Sequence, residues 1–471
     1  MTASTVSLSL LLRRLGVLAL VFGIWFTPVP AGLTSPAWRL FAVFAGAIAS
    51  VLLGAFPLLT SSMLAVGAVV LTGTVEMSKA FAGFANPSVL LVVVAFLVAQ
   101  AVVKSGLGRR ISLLIVSAFG RSPLGLAYSV VLTDALIAPG FPSNTARAGV
   151  LFPVVLSLTQ GAGSRPGDPE GRRLGSYLMF VGMASLAISS ALWLTATSAN
   201  PIGAQIAAQF GVVISFGRWV TAASVPTLAA ILLLPIVVRR LFPPGVSETP
   251  DAPRAARAAL ASMGSMTRDE LITAAAFAVM VTGWILAGSL NLNVTAVAFA
   301  GLGVLLATSV LTVDDMAKQG DTLATFLWLA VLFALSGQLN EVGFMGYVGE
   351  RLASGLEGLP WQFVYVALLV LYVLLHYLFV SQSSQVLALF AVFLAVGIKG
   401  GVPAPLLCFA LLFASSYFST ITPQGGSQNV IFAASGYLTQ RELYRMGLLT
   451  TAFFLTVFLL LGTPWLLFVT R

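Results

Sequence analysis

The chain has 471 residues, of which 58% are hydrophobic and 8% charged, so too few polar groups exist to cover a water-facing surface and lipid must serve as solvent. One cysteine, Cys408, and one histidine, His376, exclude a disulfide framework and a protein-built zinc or haem site; no phosphate-binding G-x-x-x-x-G-K-[ST] loop is present. The net charge of +9 reflects the distribution of arginines across a membrane, and no nucleic-acid partner is expected.

A bilayer crossing takes about 20 apolar residues, and such runs recur along the whole chain. The expected fold is an all-α integral membrane protein with about 11 transmembrane helices plus two re-entrant hairpins, built as two inverted-topology repeats with broken helices at mid-membrane. Residues 1–35 form an N-terminal transmembrane helix; its apolar run follows Arg13 and Arg14 and has the form of a signal-peptide core, but the many further runs favour a retained span. Residues 36–242 form the first repeat, with a hairpin at about 121–160 and a broken helix at about 174–210. Residues 243–268, rich in Pro, Ala, Ser and Arg, read as a cytoplasmic linker. Residues 269–471 form the second repeat, with a hairpin at about 360–398 and a broken helix at about 403–435.

With the N-terminus in the cytoplasm and the C-terminus outside, 17 of the 24 Lys and Arg residues fall inside, 6 outside and Arg147 within the membrane. That bias satisfies the positive-inside rule and requires that both hairpins enter and leave on one side. Lys104 snorkels to the inner interface.

The repeat is read from spacing. Gln100 and Gln338 stand 238 apart, as do Ser143 and Ser381; Thr195 with Thr420, Thr197 with Thr422, and Gly211 with Gly436 stand 225 apart. The loop "GAGSRPGDPEGRR", 161–173, accounts for the change of offset. Each half holds a hairpin tip, "PGFPSNTAR" or "LFVSQSSQ", and then a helix break, "TATSANP" or "TITPQGGSQN". Broken backbone at membrane depth is tolerated only against protein or a watery cavity, so the four breaks define a site. Helix starts at the tips aim free N–H groups at that site and suit an anion. Ser143, Asn144, Thr145, Ser381, Gln382 and Ser383 add neutral polar groups from the tips, and Thr195, Thr197, Thr420 and Thr422 from the breaks. Carbonyls freed by the same breaks suit a small cation, with sodium near Asn144 or Gln382; no other cofactor is expected. Bland readings stand beside these: Ser143 and Asn144 as helix caps, Thr195 and Thr197 back-bonded in their own helix, His376 as a satisfied core residue.

The segments "PSNTARAG", "HYLFVSQ" and "ASGYLTQRE" resemble the divalent anion/sodium symporter family, in particular the plastid 2-oxoglutarate/malate translocators and the bacterial citrate/succinate and tartrate/succinate antiporters. The resemblance covers nearly the whole chain. It implies a homodimeric carrier of the bacterial inner membrane, in which hairpins and broken helices move against a scaffold as an elevator, with malate, succinate, 2-oxoglutarate, citrate or tartrate as substrate. It also assigns Ser143, Asn144 and Thr145 to the first substrate-binding tip and Ser381, Gln382 and Ser383 to the second. Two departures fall in the site: Gln385 replaces the histidine of the S-Q-T-A-H pattern, and T-P-Q-G-G-S from Thr422 to Ser427 replaces T-P-Y-G-T-G.

Arg147 is the one basic residue expected inside the membrane, where a charge costs at least about 2.5–3.5 kcal/mol. Asp134, on the opposite hairpin arm, is its candidate partner; the alternative places the guanidinium behind the tip, in the role an ion plays in sodium-coupled relatives. An arginine cannot leave the site as an ion does, so an uncompensated Arg147 predicts obligatory exchange. Sodium- or proton-coupled symport on the same fold and an anion channel are the alternatives, and no nucleophile–base pair supports an enzyme.

Overall fold

The computed structural model describes residues 8–168, 171–318, 320–356, 358–379 and 381–470. Helix boundaries follow local chemistry. Asn86 accepts hydrogen bonds from the backbone N–H groups of Ser88 and Val89, Pro87 occupies the first turn, and Pro87–Ser105 ends at Gly106, whose φ of +81° is left-handed. The same stop recurs in the second half, where Gly320–Glu341 is followed by Gly343 at φ +79° and then by Phe344–Ala353. Thr267 with Glu270 and Thr439 with Glu442 form reciprocal capping boxes at the starts of Arg268–Ile285 and Gln440–Val457.

Two helical hairpins organise the interior. The first joins Pro123–Ile137 to Asn144–Gly161, and both arms pack on Arg173–Ser189. The second joins Trp361–His376 to a continuous arm that begins at Gln382, passes through a π-helical stretch Val386–Phe390 and ends at Lys399; both arms pack on Ala404–Tyr417. Arg173–Ser189 is buried from Leu174 to Ser189, and Ala404–Tyr417 from Leu406 to Tyr417. A helix apolar on every face belongs inside the protein, and these two are its centre.

Each central helix is followed by a break and a second piece, Ala199–Gln209 or Ser427–Ala433. These second pieces cross over. Ala199–Gln209 packs on the second hairpin and on Ala404–Tyr417, while Ser427–Ala433 packs on Asn144–Gly161 and Arg173–Ser189. The two halves therefore close one interior. Outside it lie Ser35–Leu52, Leu58–Leu71, Pro87–Ser105 and Gly320–Glu341. Leu8–Phe26 packs on Ser35–Leu52 and buries only Val17, so most of its apolar surface faces outward.

The protein is all-helical, as expected. Among the described residues eight helices are long and apolar enough to cross a membrane, or nine if Phe344–Leu356 and Trp361–His376, bent by 118°, form one span; two of the eight, Pro123–Gly140 and Gln382–Lys399, are hairpin arms, and four further apolar helices are shorter than a full span. The apolar runs are cut by Pro, Gly and Ser into shorter pieces such as Leu58–Leu71 and Val294–Ala307, and the central helices are short because they are enclosed by protein. Within 243–268 the structure has a helix, Asp251–Met263, packed on Leu107–Phe119. Arg110 holds its end by donating to the carbonyls of Gly264 and Ser265 and to both carboxylate oxygens of Glu270.

Candidate functional site

The break register comes from hydrogen bonds. Asn200 Nδ2 donates to Ser190 O at 2.7 Å and Trp193 O at 3.1 Å; Asn429 Nδ2 donates to Ser419 O at 2.6 Å and Thr422 O at 2.9 Å. All three residue pairs stand 229 apart, and so do Ser198 and Ser427, giving S-x-N in each half. Each asparagine satisfies carbonyls that the break has freed, which is why this residue recurs. The expected pairing of Thr195 with Thr420 and Thr197 with Thr422 is therefore out of register by four residues. Ala199–Gln209 is 11 residues long and Ser427–Ala433 only 7, and that difference restores the 225 offset at Gly211 and Gly436.

A cavity of about 300 Å³ lies where the tips and breaks meet. Ser143, Asn144 and Thr145 line it from the first tip, Ser381, Gln382 and Ser383 from the second, and Thr197 from the first break. Thr195, Thr420 and Thr422 do not line it. Thr195 Oγ1 donates to Pro139 O at 2.7 Å, Thr420 is buried, and Thr422 precedes the short turn Pro423–Gly425 with its hydroxyl buried and unbonded. Ser198, Ser384, Gly426 and Ser427 line the cavity although the reading of the sequence passed over them; the shared S-x-N would have found Ser198 and Ser427. Phe96, Thr325, Trp328 and Leu329 form the opposite wall, from helices with no local break to mark them.

The tips are bonded to each other and to the breaks. Asn144 Nδ2 donates to Gln382 Oε1 at 3.1 Å, the Ser198 and Ser383 hydroxyls are 2.7 Å apart, and Ser198 N donates to Pro142 O at 3.0 Å. Gln382 Nε2 is buried without a protein partner, a free donor at the cavity. Four helices start here: at Asn144, Ala199, Gln382 and Ser427. Their preceding residues, Ser143, Ser198, Ser381 and Gly426, all line the cavity, and among the described residues no charged side chain does.

Arg147 lies behind the first tip, fully buried with Asp134. Its Nη1 donates to Asp134 Oδ1 at 2.9 Å and Ser189 Oγ at 2.6 Å; its Nη2 donates to Asn144 Oδ1 and Ser190 Oγ, each at 2.5 Å, and to Leu186 O at 3.0 Å. Asp134 Oδ2 accepts from Ser185 at 2.8 Å and Ser189 at 2.6 Å. The pair is thus neutral as a unit, and Arg147 orients the Asn144 amide. An uncompensated arginine cannot be the source of exchange.

Gln385 stands 238 residues after Arg147 and fills the matching place behind the second tip. It bonds His376 and, through Nε2, donates to Tyr372 O at 2.9 Å. Among the described residues no group of three or more His, Cys, Asp or Glu side chains is placed to hold a metal ion.

A family model described as sodium:sulfate symporter transmembrane region matches residues 8–470. Dicarboxylate transporter 1, chloroplastic, of Arabidopsis thaliana is 36% identical over 452 residues, covering 95% of this chain and 81% of its own. The L-tartrate/succinate antiporter of Shigella sonnei (strain Ss046) is 30% identical over 476 residues, covering 96% and 97%. The solved structure of MtrF from Neisseria gonorrhoeae is similar in fold, with a TM-score of 0.59 at 18% identity, covering 96% of this chain and 97% of its own. With polar hairpin tips meeting at one cavity and its match running almost end to end, this chain belongs to the sodium:sulfate symporter group within the divalent anion/sodium symporter family, a family of multi-pass membrane transporters and not of enzymes.

Proposed function

We propose that this protein is a secondary active carrier that exchanges one dicarboxylate for another across the bacterial inner membrane. The observation that carries the reading is the meeting of four helix starts at one cavity lined by hydroxyls and amides and, among the described residues, by no carboxylate. Each helix start contributes at most about +0.5 of an elementary charge, so the four together offer about two positive charges at most. That matches a dianion. Malate, succinate, 2-oxoglutarate, citrate and tartrate are the candidate substrates, in keeping with relatives named as dicarboxylate transporter and tartrate/succinate antiporter.

The same ends support exchange. An empty site leaves the N–H groups of these helix starts without acceptors, and carrying them through a water-excluding barrier is costly; a bound dicarboxylate satisfies them. Behind each tip, where a coupling ion would sit, protein groups occupy the space: the guanidinium of Arg147 in one half, the Gln385 amide with His376 in the other. The hairpins, central helices and crossed second pieces are the moving body in this reading, and the wall of Phe96, Thr325 and Trp328 belongs to the scaffold of a homodimer.

The test uses proteoliposomes loaded with dicarboxylate or left empty, assayed with sodium or choline outside. Saturable uptake that needs internal dicarboxylate and ignores sodium is expected. Sodium-driven uptake into empty vesicles would establish symport instead, and flux that neither saturates nor counterflows would establish a channel.

A further inference from the structure

His376, the chain's single histidine, ends the first arm of the second hairpin and is fully buried. Its Nδ1 lies 2.6 Å from Gln385 Oε1 and its Nε2 lies 2.6 Å from Gly425 O. The Gln385 amide is not free to turn over: its Nε2 donates to Tyr372 O, and reversal would set two acceptor oxygens against each other. Both ring nitrogens therefore face acceptors. A neutral imidazole has one N–H and one lone pair, so it satisfies one of these oxygens and repels the other; only the doubly protonated ring donates to both. Burial strengthens both hydrogen bonds because no water competes, and it also penalises a charged ring, so the two acceptors together must offset that cost.

We infer that His376 is a proton-binding site whose doubly protonated ring ties the second hairpin to the Pro423–Gly425 turn, and that dicarboxylate binding is linked to that proton. The linkage rests on the proposed dicarboxylate reading; the state of the ring does not. Gly425 adjoins Gly426 and Ser427, which line the cavity. Loss of the proton frees either the Gln385 carbonyl, three residues beyond Gln382, or the turn that sets Gly426. A dianion in the cavity favours the charged ring, and by reciprocity the charged ring favours the dianion.

Among the described residues no carboxylate faces the ring, so the neutral oxygens of Gln385 and Gly425 alone hold its charge. The arm itself carries Tyr365 and Tyr372, Tyr377 follows, and Ala404–Tyr417 carries Cys408 and Tyr417. Lys399, at the far end of the second arm, is exposed and paired with Glu350. The Pro423–Gly425 turn and Ser427–Ala433 have no titratable side chain. The adjoining Gln440–Val457 has Arg441, Glu442, Tyr444 and Arg445 near its start, where Glu442 is held by Arg172 at 2.7 Å.

Because one histidine is present, protein labelled with 15N-histidine and freed of any histidine tag reports on this ring alone. In nanodiscs with saturating succinate, both ring nitrogens should show protonated signals; one protonated and one lone-pair nitrogen would overturn the inference. Affinity for succinate is then measured from about pH 6 to about pH 9 in the wild type and in His376→Gln. If only the protonated form binds, the wild-type Kd rises about tenfold per pH unit above the transition, while the variant lacks that step. Titration of succinate itself is common to both and cancels. Equal pH profiles would refute the linkage. If no dicarboxylate binds at any pH, the functional reading fails, and the ring signals of the unliganded protein still decide the proton site.

Discussion

Replacing Asp134 with Asn keeps the size of the side chain and removes the charge that balances Arg147. Both residues are 0% exposed, so water cannot take over. Asp134 accepts three hydrogen bonds, from Arg147, Ser185 and Ser189, and the new amide NH2 would meet donors where it needs acceptors. Breaking a buried pair by removing one partner costs about 3–5 kcal/mol. The guanidinium keeps acceptors in Asn144, Ser190 and Leu186, which places the expected loss near the lower end of that range. Removing both charges, as in Asp134→Leu with Arg147→Met, leaves no orphaned ion; Ser190 still donates to Leu186 O at 2.6 Å. The double variant should recover most of the stability lost in Asp134→Asn. Reversible unfolding in mixed micelles, followed by titration with SDS, measures both. The double variant should nonetheless transport with a raised KM, because Asn144 Oδ1 loses the Arg147 donor and keeps only the Ser190 hydroxyl at 2.7 Å. A loss below about 1 kcal/mol for Asp134→Asn, or a double variant as unstable as the single one, would refute the claim that this pair balances charge inside the first hairpin.

Four further outcomes follow from the geometry. Asn144→Ala and Gln382→Ala each remove a side chain placed to bond the anion, worth about 1.5–3 kcal/mol, so counterflow KM should rise about 10- to 100-fold while the protein remains folded; wild-type kinetics would remove these residues from the site. Thr195→Val should cost about 1 kcal/mol of stability through its lost bond to Pro139 O and leave KM unchanged, as read by thermal unfolding beside transport. Gly447→Ala should abolish transport and lower stability, since its Cβ would lie 2.3 Å from Thr420 O and 2.4 Å from Ile421 Cα, backbone atoms of the second break that have no side-chain freedom to yield. The Lys104–Asp315 bridge, with Lys104 and Thr312 holding the Asp315 carboxyl down to about 2 from its usual 3.8, contributes its stability above the ordinary carboxylate range and loses it only as pH falls through about 2; replacing Asp315 with Asn should therefore leave the melting temperature's profile from about pH 5 to about pH 8 unchanged in shape.

Composition alone made lipid the solvent, because a chain with 8% charged residues has no other way to cover itself. The tips were legible for a local reason. Ser143 before Asn144 and Ser381 before Gln382 are polar starts of apolar helices, and such starts must be explained by a cavity or by a cap; the structure puts all four residues at one cavity. The breaks were legible as breaks but not in register. Threonines recur by residue type at 225, whereas the groups that need each other, Asn200 with the Ser190 and Trp193 carbonyls and Asn429 with the Ser419 and Thr422 carbonyls, set 229. Nor does hydropathy separate a helix facing lipid from one enclosed by protein, as Arg173–Ser189 and Ala404–Tyr417 are. The partners of Arg147 belong wholly to the tertiary structure. Asp134 was in view from the hairpin, but Leu186, Ser189 and Ser190 come from the next helix, and the tie from Asn144 to Gln382 spans 238 residues. Caps, prolines and glycines act over a turn or two and so fix where a helix starts and stops; which orphaned donor meets which acceptor is settled only when distant helices pack, because burial, not sequence distance, decides which groups have lost water.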